Sequence, residues 1–285
     1  MSGIFKYNQD KKQSEDKQPT GKFMGLINLI ARKAWDLSKL NLISLLLNLP
    51  FFALIWIISY WFIPAEGMEI FNYRVYSPQD AALIDLLWRL SIGSIMIAIP
   101  VVIFGPANAG ATYIYRNMVK GQPVFIWSDL MKTMKRFLWK SLLITVIDVA
   151  MLFVIAMGLR FYSTWYEIAF PDLYSPMVET ISVMIILLFT LLFIMMHFYI
   201  YQLLIEYNLK IHQLYRYSFV FSLIRLIPNL FVLIACIAMV IGPYTIHIMV
   251  GNGLLIFVTI ALCGIVINYY TWPALEKHFD PLVKK

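Results

Sequence analysis

The chain has 285 residues, of which 61% are hydrophobic and only 14% are charged, and its formal net charge is +7. A soluble domain carries about 25% charged residues, so the composition excludes an ordinary soluble globular protein. The positive charge alone would also suit a nucleic-acid-binding protein. Here, however, the basic residues lie between long apolar blocks, as on the inner face of a membrane protein, and we expect no nucleic-acid partner.

The chain begins with a polar segment and then becomes amphipathic. Residues 1–21 are rich in Lys, Gln, Asp and Ser and show no apolar periodicity, which predicts a disordered cytoplasmic tail. Apolar residues then recur at helical spacing from Phe23 to Leu37, with basic residues on the opposite face. This pattern predicts an amphipathic helix along the membrane surface. We expect residues 22–285 to form a single transmembrane helical domain.

Six apolar blocks are each long enough to cross a hydrocarbon core of about 30 Å. They lie near Leu40–Ile63, Leu83–Phe104, Leu142–Leu159, Val178–Ile205, Pro228–Val250 and Leu254–Trp272. The last two are joined by Gly251-Asn252-Gly253, which predicts a short turn. The predicted fold is therefore all-α: a polytopic transmembrane helical bundle of about six spans, with amphipathic surface helices in the cytoplasm.

The distribution of Lys and Arg predicts the orientation of the bundle. Of the 23 such residues, all but Arg74, Arg89 and Arg160 fall on one side of the predicted topology, in the segments that also contain both termini. Cytoplasmic segments of membrane proteins are enriched in Lys and Arg. We therefore expect a multi-pass membrane protein whose N-terminus and C-terminus are both cytoplasmic.

The sequence also contains a threefold internal pattern. Amphipathic segments near residues 23–37, 127–138 and 211–219 each lead into an odd-numbered span. Tyr113-Ile114-Tyr115 and Tyr199-Ile200-Tyr201 also align with each other. Our hypothesis is a threefold hairpin repeat, each unit consisting of a surface helix, an outward span, a loop and a return span. The alternative is chance similarity among hydrophobic helices.

The second predicted span ends in a run of small residues, Gly105-Pro106-Ala107-Asn108-Ala109-Gly110. Proline removes a backbone donor and marks a break or a restart of a helix, whereas small residues allow helices to approach closely. One interpretation is a hinge or a backbone-lined site near the cytoplasmic face. The simpler interpretation, which we favour, is a turn from the span to a surface helix.

Asp148 is the carboxylate that we place deepest inside a span. An ionised Asp at bilayer depth is costly, so the side chain should be protonated, paired or in contact with water. Partners in space could be His197, Gln202, His247 or Asn268. Asp148 could then serve as a proton or solute relay, or it could be a neutral, hydrogen-bonded structural residue, which is the more economical interpretation.

The sequence lacks the common catalytic motifs. It has no HExxH pair, no GxSxG and no GxxxxGK[ST]. Cys236 and Cys263 lie inside apolar segments, where they are expected to be packing residues. We therefore expect a protein that is not an enzyme and that has neither a cofactor nor a metal site.

Several motifs resemble the YesL family, a group of bacterial integral membrane proteins of unassigned function. The run from Gly105 to Tyr113, followed by Arg116, Lys120-Gly121 and Trp127-Ser128-Asp129-Leu130, resembles its central motif. The segment Trp35–Asn41 with Pro50 is similar to its N-terminal pattern, and Tyr201–Lys210 to its third block. The outward connections around residues 64–82 and 160–177 are longer than in compact members.

The resemblance implies a function only in outline. Members occur mainly in Gram-positive bacteria, often encoded near carbohydrate uptake systems, so the resemblance implies a location in the bacterial plasma membrane. No catalytic residues are established in the family that could be carried over. It implies a non-enzymatic accessory or regulatory component near such a system, in contact with the lipid bilayer and with membrane subunits of a sugar transporter. The alternative is a small permease or channel with a polar path around Asp148. The oligomeric state and any solute stay open.

The candidate functional or structural residues are Gly105, Pro106, Asn108, Gly110, Arg116 and Asp148.

Overall fold

The fold is that of a computed structural model, which describes residues 21–62, 105–162, 166, 170–207 and 209–283. Within these ranges the side chains of 48–62, 173 and 280–283 are not described. The described residues form helices and contain no β-strand, which confirms the predicted all-α fold. Residues 1–20 of the predicted tail, the outward connection 64–82 and the second predicted span lie outside the described residues, as do residues 163–165 and 167–169 of the second outward connection.

Eight α-helices follow one another along the described chain. They are α1 (Lys22–Phe62), α2 (Gly105–Val119), α3 (Ile126–Arg160), α4 (Pro176–Tyr207), α5 (Ile211–Ile224), α6 (Leu226–Ile246), α7 (Ile248–Leu254) and α8 (Ile260–Val283). A π-helical turn, Leu255–Thr259, joins α7 to α8.

Four helical segments among the described residues are long and apolar enough to cross a membrane: Ile126–Arg160, Pro176–Tyr207, Leu226–Ile246 and Ile248–Phe279. They contain the third and fourth predicted spans, most of the fifth, and the sixth. The first predicted span falls largely within α1, whose side chains are described only as far as Leu47. The chain is thus a multi-span membrane protein.

Two details of the prediction are wrong. The amphipathic segments near residues 23–37 and 127–138 are not separate surface helices, because α1 and α3 each continue without a break into the span that follows. At about 1.5 Å per residue, the 35 residues of α3 reach about 52 Å, well beyond a hydrocarbon core of about 30 Å. The amphipathic part of α3 therefore extends past the core.

The turn predicted at Gly251-Asn252-Gly253 is also wrong, because these residues belong to α7. The chain instead breaks at His247, directly after the helix that contains Pro243. His247 adopts an extended backbone, and its Nδ1 accepts a hydrogen bond from the Met249 N–H at 3.2 Å. An N-cap of this kind starts a new helix, so the reversal precedes the glycines rather than using them.

Side-chain burial divides α4 into two halves. Its N-terminal half exposes large apolar side chains such as Met184, Ile185 and Leu188, which suits contact with lipid. Its C-terminal half, from Phe193 to Ile205, is buried almost throughout. This half of α4 contacts α2, α3, α5 and α8, and it forms the centre of the larger hydrophobic cluster.

Asn41 of α1 binds the π-helical turn. Its amide nitrogen donates to the carbonyl oxygens of Leu255 at 2.8 Å and Ile256 at 2.6 Å, and its oxygen accepts from the Ala261 N–H at 2.8 Å. A π-helical turn disturbs the regular ladder of backbone hydrogen bonds, and unpaired buried backbone groups are costly. One fully buried side chain from α1 therefore stabilises the irregular start of the last span.

The hypothesised threefold repeat can be compared with the contacts between helices. The helices that end each proposed unit, α2, α4 and α8, contact one another. At the closest approach of α2 and α8, a Cβ at Gly264 would overlap the Tyr115 ring. Part of the first unit lies outside the described residues, and the repeat itself stays a hypothesis.

Candidate functional site

Asp148 lies in the interior of the bundle and contacts a histidine. Its carboxylate Oδ1 is 3.0 Å from Nε2 of His197 on α4, and both side chains are 0% exposed. Of the four partners considered from the sequence, His197 is the one in contact. Gln202 donates to Thr271, Asn268 donates to the Gly264 carbonyl, and His247 caps α7.

A tyrosine from α5 completes the contact. The Tyr215 hydroxyl donates to Asp148 Oδ1 at 2.8 Å. Burial raises the pKa of Tyr215 above its ordinary value, and the charge of Asp148 raises it further, so the phenol keeps its proton and acts as the donor. Sequence reasoning missed this role, because Tyr215 belongs to an apolar stripe in which a tyrosine is an ordinary packing residue.

The small-residue run approaches the same place through Asn108. Asn108 on α2 lies near the Tyr201 hydroxyl on α4, which makes no hydrogen bond among the described residues, and Tyr201 in turn lies near Asp148. The side chains of Asp148, His197, Tyr201, Tyr215 and Asn108 are called the Asp148 cluster below. Two features that the sequence presents separately, the run and the buried carboxylate, thus meet at one site.

The run itself is helical from Gly105 onward, so its interpretation as a turn is wrong. A Cβ at Gly105 would overlap the Ser141 carbonyl oxygen, and one at Gly110 would lie 3.1 Å from Leu130. The Gly105 N–H also donates to Thr145 Oγ1 at 2.8 Å. The small residues therefore let α2 pack directly against the α3 backbone, with Pro106 in the first turn of the described helix, where its missing N–H costs little.

Arg116 belongs to a second polar group, at the far end of α2. Its guanidinium forms an ion pair with Glu206 of α4 and lies over the Trp272 ring of α8, with 5.5 Å between the guanidinium carbon and the ring centroid. The Lys120 ammonium lies 3.9 Å from Glu206, 4.0 Å from Glu276 and 4.3 Å from the Trp272 centroid. These five residues are called the Arg116 cluster, and they join α2, α4 and α8.

Neither cluster resembles a metal site. Within the described ranges, no three His, Cys, Asp or Glu side chains converge as ligands of an ion would. Cys236 and Cys263 are buried free thiols on α6 and α8, and the Cys263 sulfur is 3.9 Å from the Cys236 carbonyl oxygen. The side chains of Asp148, His197 and Tyr215 can bind protons and form hydrogen bonds.

Comparison with known proteins concerns one stretch of the chain. Residues 81–159 match a family model described as "Protein of unknown function, DUF624". This stretch contains Gly105, Asn108, Arg116 and Asp148, and it is slightly more than a quarter of the chain. No curated protein and no solved structure matches the sequence. The segment that carries the small-residue run and Asp148 is thus similar to a family of unknown function, and the resemblance to the YesL family stays a prediction.

Proposed function

We propose that this membrane protein is a non-enzymatic accessory or regulatory component near a carbohydrate uptake system of the bacterial plasma membrane. Its proposed partners are the lipid bilayer and membrane subunits of a sugar transporter, and both of its termini are proposed to be cytoplasmic. The link to carbohydrate uptake rests on the resemblance to the YesL family. The proposal of a non-enzymatic role rests on how the buried polar side chains are used.

The observation that supports a helix scaffold is that buried polar side chains pair between helices. Asp148 contacts His197 and Tyr215, Gln202 donates to Thr271 at 2.5 Å, and Tyr199 donates to Asn229 at 2.6 Å. Such pairs fix the mutual arrangement of membrane helices. A protein that acts by presenting helix surfaces to a partner needs this rigidity.

An exposed aromatic surface on α3 offers a place for such a partner. Phe125, the N-cap residue of α3, is 73% exposed, and Trp127 and Trp139, in the part of α3 that precedes the predicted span, are 60% and 81% exposed. Aromatic side chains at this depth suit the lipid headgroup region, and they are also common at the centres of protein interfaces. We propose that this surface contacts both the headgroups and the transporter.

Co-purification from the native membrane tests the proposal. The tagged chain, extracted in mild detergent after cross-linking, should retain membrane subunits of a sugar transporter. A Trp127→Ala/Trp139→Ala variant should lose them at unchanged expression. The matched control is Phe153→Ala, which removes a 60% exposed aromatic from the span itself and should leave the complex intact. Recovery of the chain without transporter subunits, together with unchanged sugar uptake in a deletion strain, would contradict the proposal.

The second candidate function, a small permease or channel, is favoured by one specific observation. Asp148 and His197 are both wholly buried and in direct contact within helices long enough to span a membrane. Ionisable residues at such depth commonly serve transport. Proteoliposomes under a pH gradient should then show a flux that is lost in Asp148→Asn. Equal leakage from protein-containing and empty vesicles would rule this candidate out.

A further inference from the structure

We propose that Asp148 and His197 form a proton-binding site, in which the two side chains together hold one proton beyond the one on His197 Nδ1 and the pair carries no net charge. The proton-binding site follows from the contacts of Asp148 and His197 alone, and it does not depend on either proposed function. It gives the Asp148 cluster a ligand, the proton, and makes the packing of α3, α4 and α5 sensitive to pH.

The first step is the tautomer of His197. Its Nδ1 lies 2.8 Å from the Phe193 carbonyl oxygen, one turn earlier on α4. A carbonyl oxygen can only accept a hydrogen bond, so Nδ1 must carry a hydrogen. In a neutral imidazole only one nitrogen carries a hydrogen. In the neutral ring, Nε2 therefore carries a lone pair. Nε2 carries a hydrogen only if the ring is an imidazolium.

The second step is the contact between Nε2 and the carboxylate. Nε2 lies 3.0 Å from Asp148 Oδ1, and neither side chain has any exposed surface. A bare Nε2 facing an ionised carboxylate would place two acceptors in contact in a medium of low dielectric, where such contacts are costly. One additional proton makes the contact attractive, either as imidazolium with carboxylate or as imidazole with carboxylic acid. Both forms hold the same number of protons, so the proton belongs to the pair.

The third step is the set of groups that face the pair. Tyr215 from α5 donates to Oδ1, Tyr201 on α4 lies near the pair without a hydrogen bond from its hydroxyl, and Asn108 from α2 lies near Tyr201. All three are uncharged when they keep their protons. Along α3 itself the nearest basic residue is Lys140, two turns away, which donates to the Leu209 carbonyl at 3.1 Å.

The surroundings of the Asp148–His197 pair determine what happens when the pair loses its proton. Asp148 Oδ2 and His197 Nε2 both lack a hydrogen-bond partner among the described residues, so the 3.0 Å approach of Nε2 to Oδ1 is a close polar contact without hydrogen-bond geometry. Without the shared proton, a fully buried carboxylate would face a lone pair on Nε2 and two neutral phenols, which is strongly unfavourable. Release of the proton therefore requires water or a cation to reach Asp148, and this in turn requires α3 to separate from α4 or α5.

The sign of the pH dependence follows from counting protons. Above about pH 6.5, a solvated histidine is neutral and a solvated aspartate is ionised, so the unfolded pair lacks the shared proton that the folded pair holds. The unfolding equilibrium constant should then rise with pH, by up to about tenfold per pH unit. Between about pH 4 and about pH 6.5 both states hold one proton, and the pair contributes no slope.

Spectroscopy of the full-length protein in micelles at about pH 7.5 tests the proton count directly. Nitrogen-15 signals from labelled histidine, assigned by loss in His197→Gln, report whether His197 is an imidazolium. The infrared difference between the native chain and Asp148→Asn reports whether Asp148 is a carboxylic acid. We expect one of the two residues, and only one, to be protonated. A neutral imidazole with a carboxylate, or two protonated groups, would overturn the site.

A second measurement stands even if these variants fail to fold. The equilibrium constant for unfolding of the native chain by dodecyl sulfate in mixed micelles should increase by up to about tenfold per pH unit between about pH 7 and about pH 9. His212→Gln, at an exposed position of α5, should keep this slope, and Asp148→Asn, where it folds, should lose it. A native chain with no slope, or an Asp148→Asn variant with the native slope, would refute the proton-binding site. This measurement uses neither ion flux nor co-purification, so a failure of the proton-binding site can be distinguished from a failure of either proposed function.

Discussion

The Asp148 cluster and the Arg116 cluster both join helices through contacts between acidic and basic side chains, yet they differ in exposure. The side chains of Asp148 and His197 are 0% exposed, whereas those of Arg116, Glu206 and Glu276 are 11%, 31% and 53% exposed. Because desolvation is costly, an unpaired charge in the Asp148 cluster would strongly destabilise the fold. In the Arg116 cluster, water and salt can stabilise an unpaired charge. The same kind of contact should therefore be indispensable in one place and nearly replaceable in the other.

The difference also assigns the two clusters different tasks. At the Asp148 cluster, the partner of each polar group decides whether α3, α4 and α5 can pack at all. At the Arg116 cluster, the Arg116 guanidinium and the Lys120 ammonium lie over the Trp272 ring, so an aromatic face supports the cations in addition to the ion pairs. Three substitutions in the clusters test this contrast, and a fourth, at Gly105, tests the packing of α2 on α3; the expected loss of stability decreases from the first to the last.

Replacing His197 by leucine should cause the greatest loss. Asp148 would remain buried without its partner, and loss of one member of a buried pair costs about 3–5 kcal/mol in the free energy of unfolding. Unfolding by dodecyl sulfate in mixed micelles measures this change. The double variant Asp148→Leu/His197→Leu removes both polar groups and should recover most of the loss. A double variant as unstable as His197→Leu would show that the pair is not the cause.

Gly105→Ala should destabilise the protein by about 1–3 kcal/mol, because the new methyl group would overlap the Ser141 carbonyl and force α2 away from α3. The matched control is Gly242→Ala in α6, where no atom lies within 4 Å of the added Cβ. That variant should be neutral or up to about 1 kcal/mol more stable, since Ala favours the helix. Thermal unfolding in detergent compares the two, and equal effects would contradict the close packing of α2 on α3.

Tyr215→Phe should cost about 1–2 kcal/mol, because Asp148 Oδ1 loses the donor from α5 while the ring still packs. The matched control, Tyr217→Phe, removes a hydroxyl that makes no hydrogen bond within the described residues and should change the free energy of unfolding very little. If the two tyrosines gave the same result in the dodecyl sulfate titration, the hydrogen bond to Asp148 would have no energetic role.

Glu206→Gln should cost the least, below about 1 kcal/mol, because the ion pairs with Arg116 and Lys120 are partly exposed. The effect should shrink further as salt is added, since exposed charges are screened. Glu276→Gln, at a more exposed site, should be close to neutral. A loss at Glu206 as large as that at His197, unchanged at high salt, would erase the distinction between the clusters.

The sequence predicted the membrane helices well, because soluble proteins rarely contain several apolar blocks of bilayer length. It predicted less well where helices begin and end. The Gly251-Asn252-Gly253 segment has turn residues, but the His247 cap and Pro243 place the break earlier. The continuity of α1 and α3 was missed because an amphipathic segment and an apolar span look like two elements, although nothing between them interrupts the helix.

The candidate site was predictable only in part, for a physical reason. The cost of a buried carboxylate singles out Asp148 in the sequence, and it requires a partner, but spacing along one helix carries no information about which neighbouring helix faces it. His197 was thus one of four candidates. Tyr215 and Asn41 gave no signal, because a tyrosine in an amphipathic stripe and an asparagine at the start of an apolar block are both ordinary at a membrane interface.

Labelling of substituted cysteines with a membrane-impermeant maleimide distinguishes a buried Asp148 cluster from an accessible Arg116 cluster in a single experiment. The native chain is a suitable background, because Cys236 and Cys263 are both buried. Lys120→Cys should react in inverted membrane vesicles and not in intact cells, as the proposed cytoplasmic face requires, and Asp148→Cys should react in neither. Reaction of Lys120→Cys from outside intact cells, or of Asp148→Cys from either side, would contradict this arrangement of the two clusters.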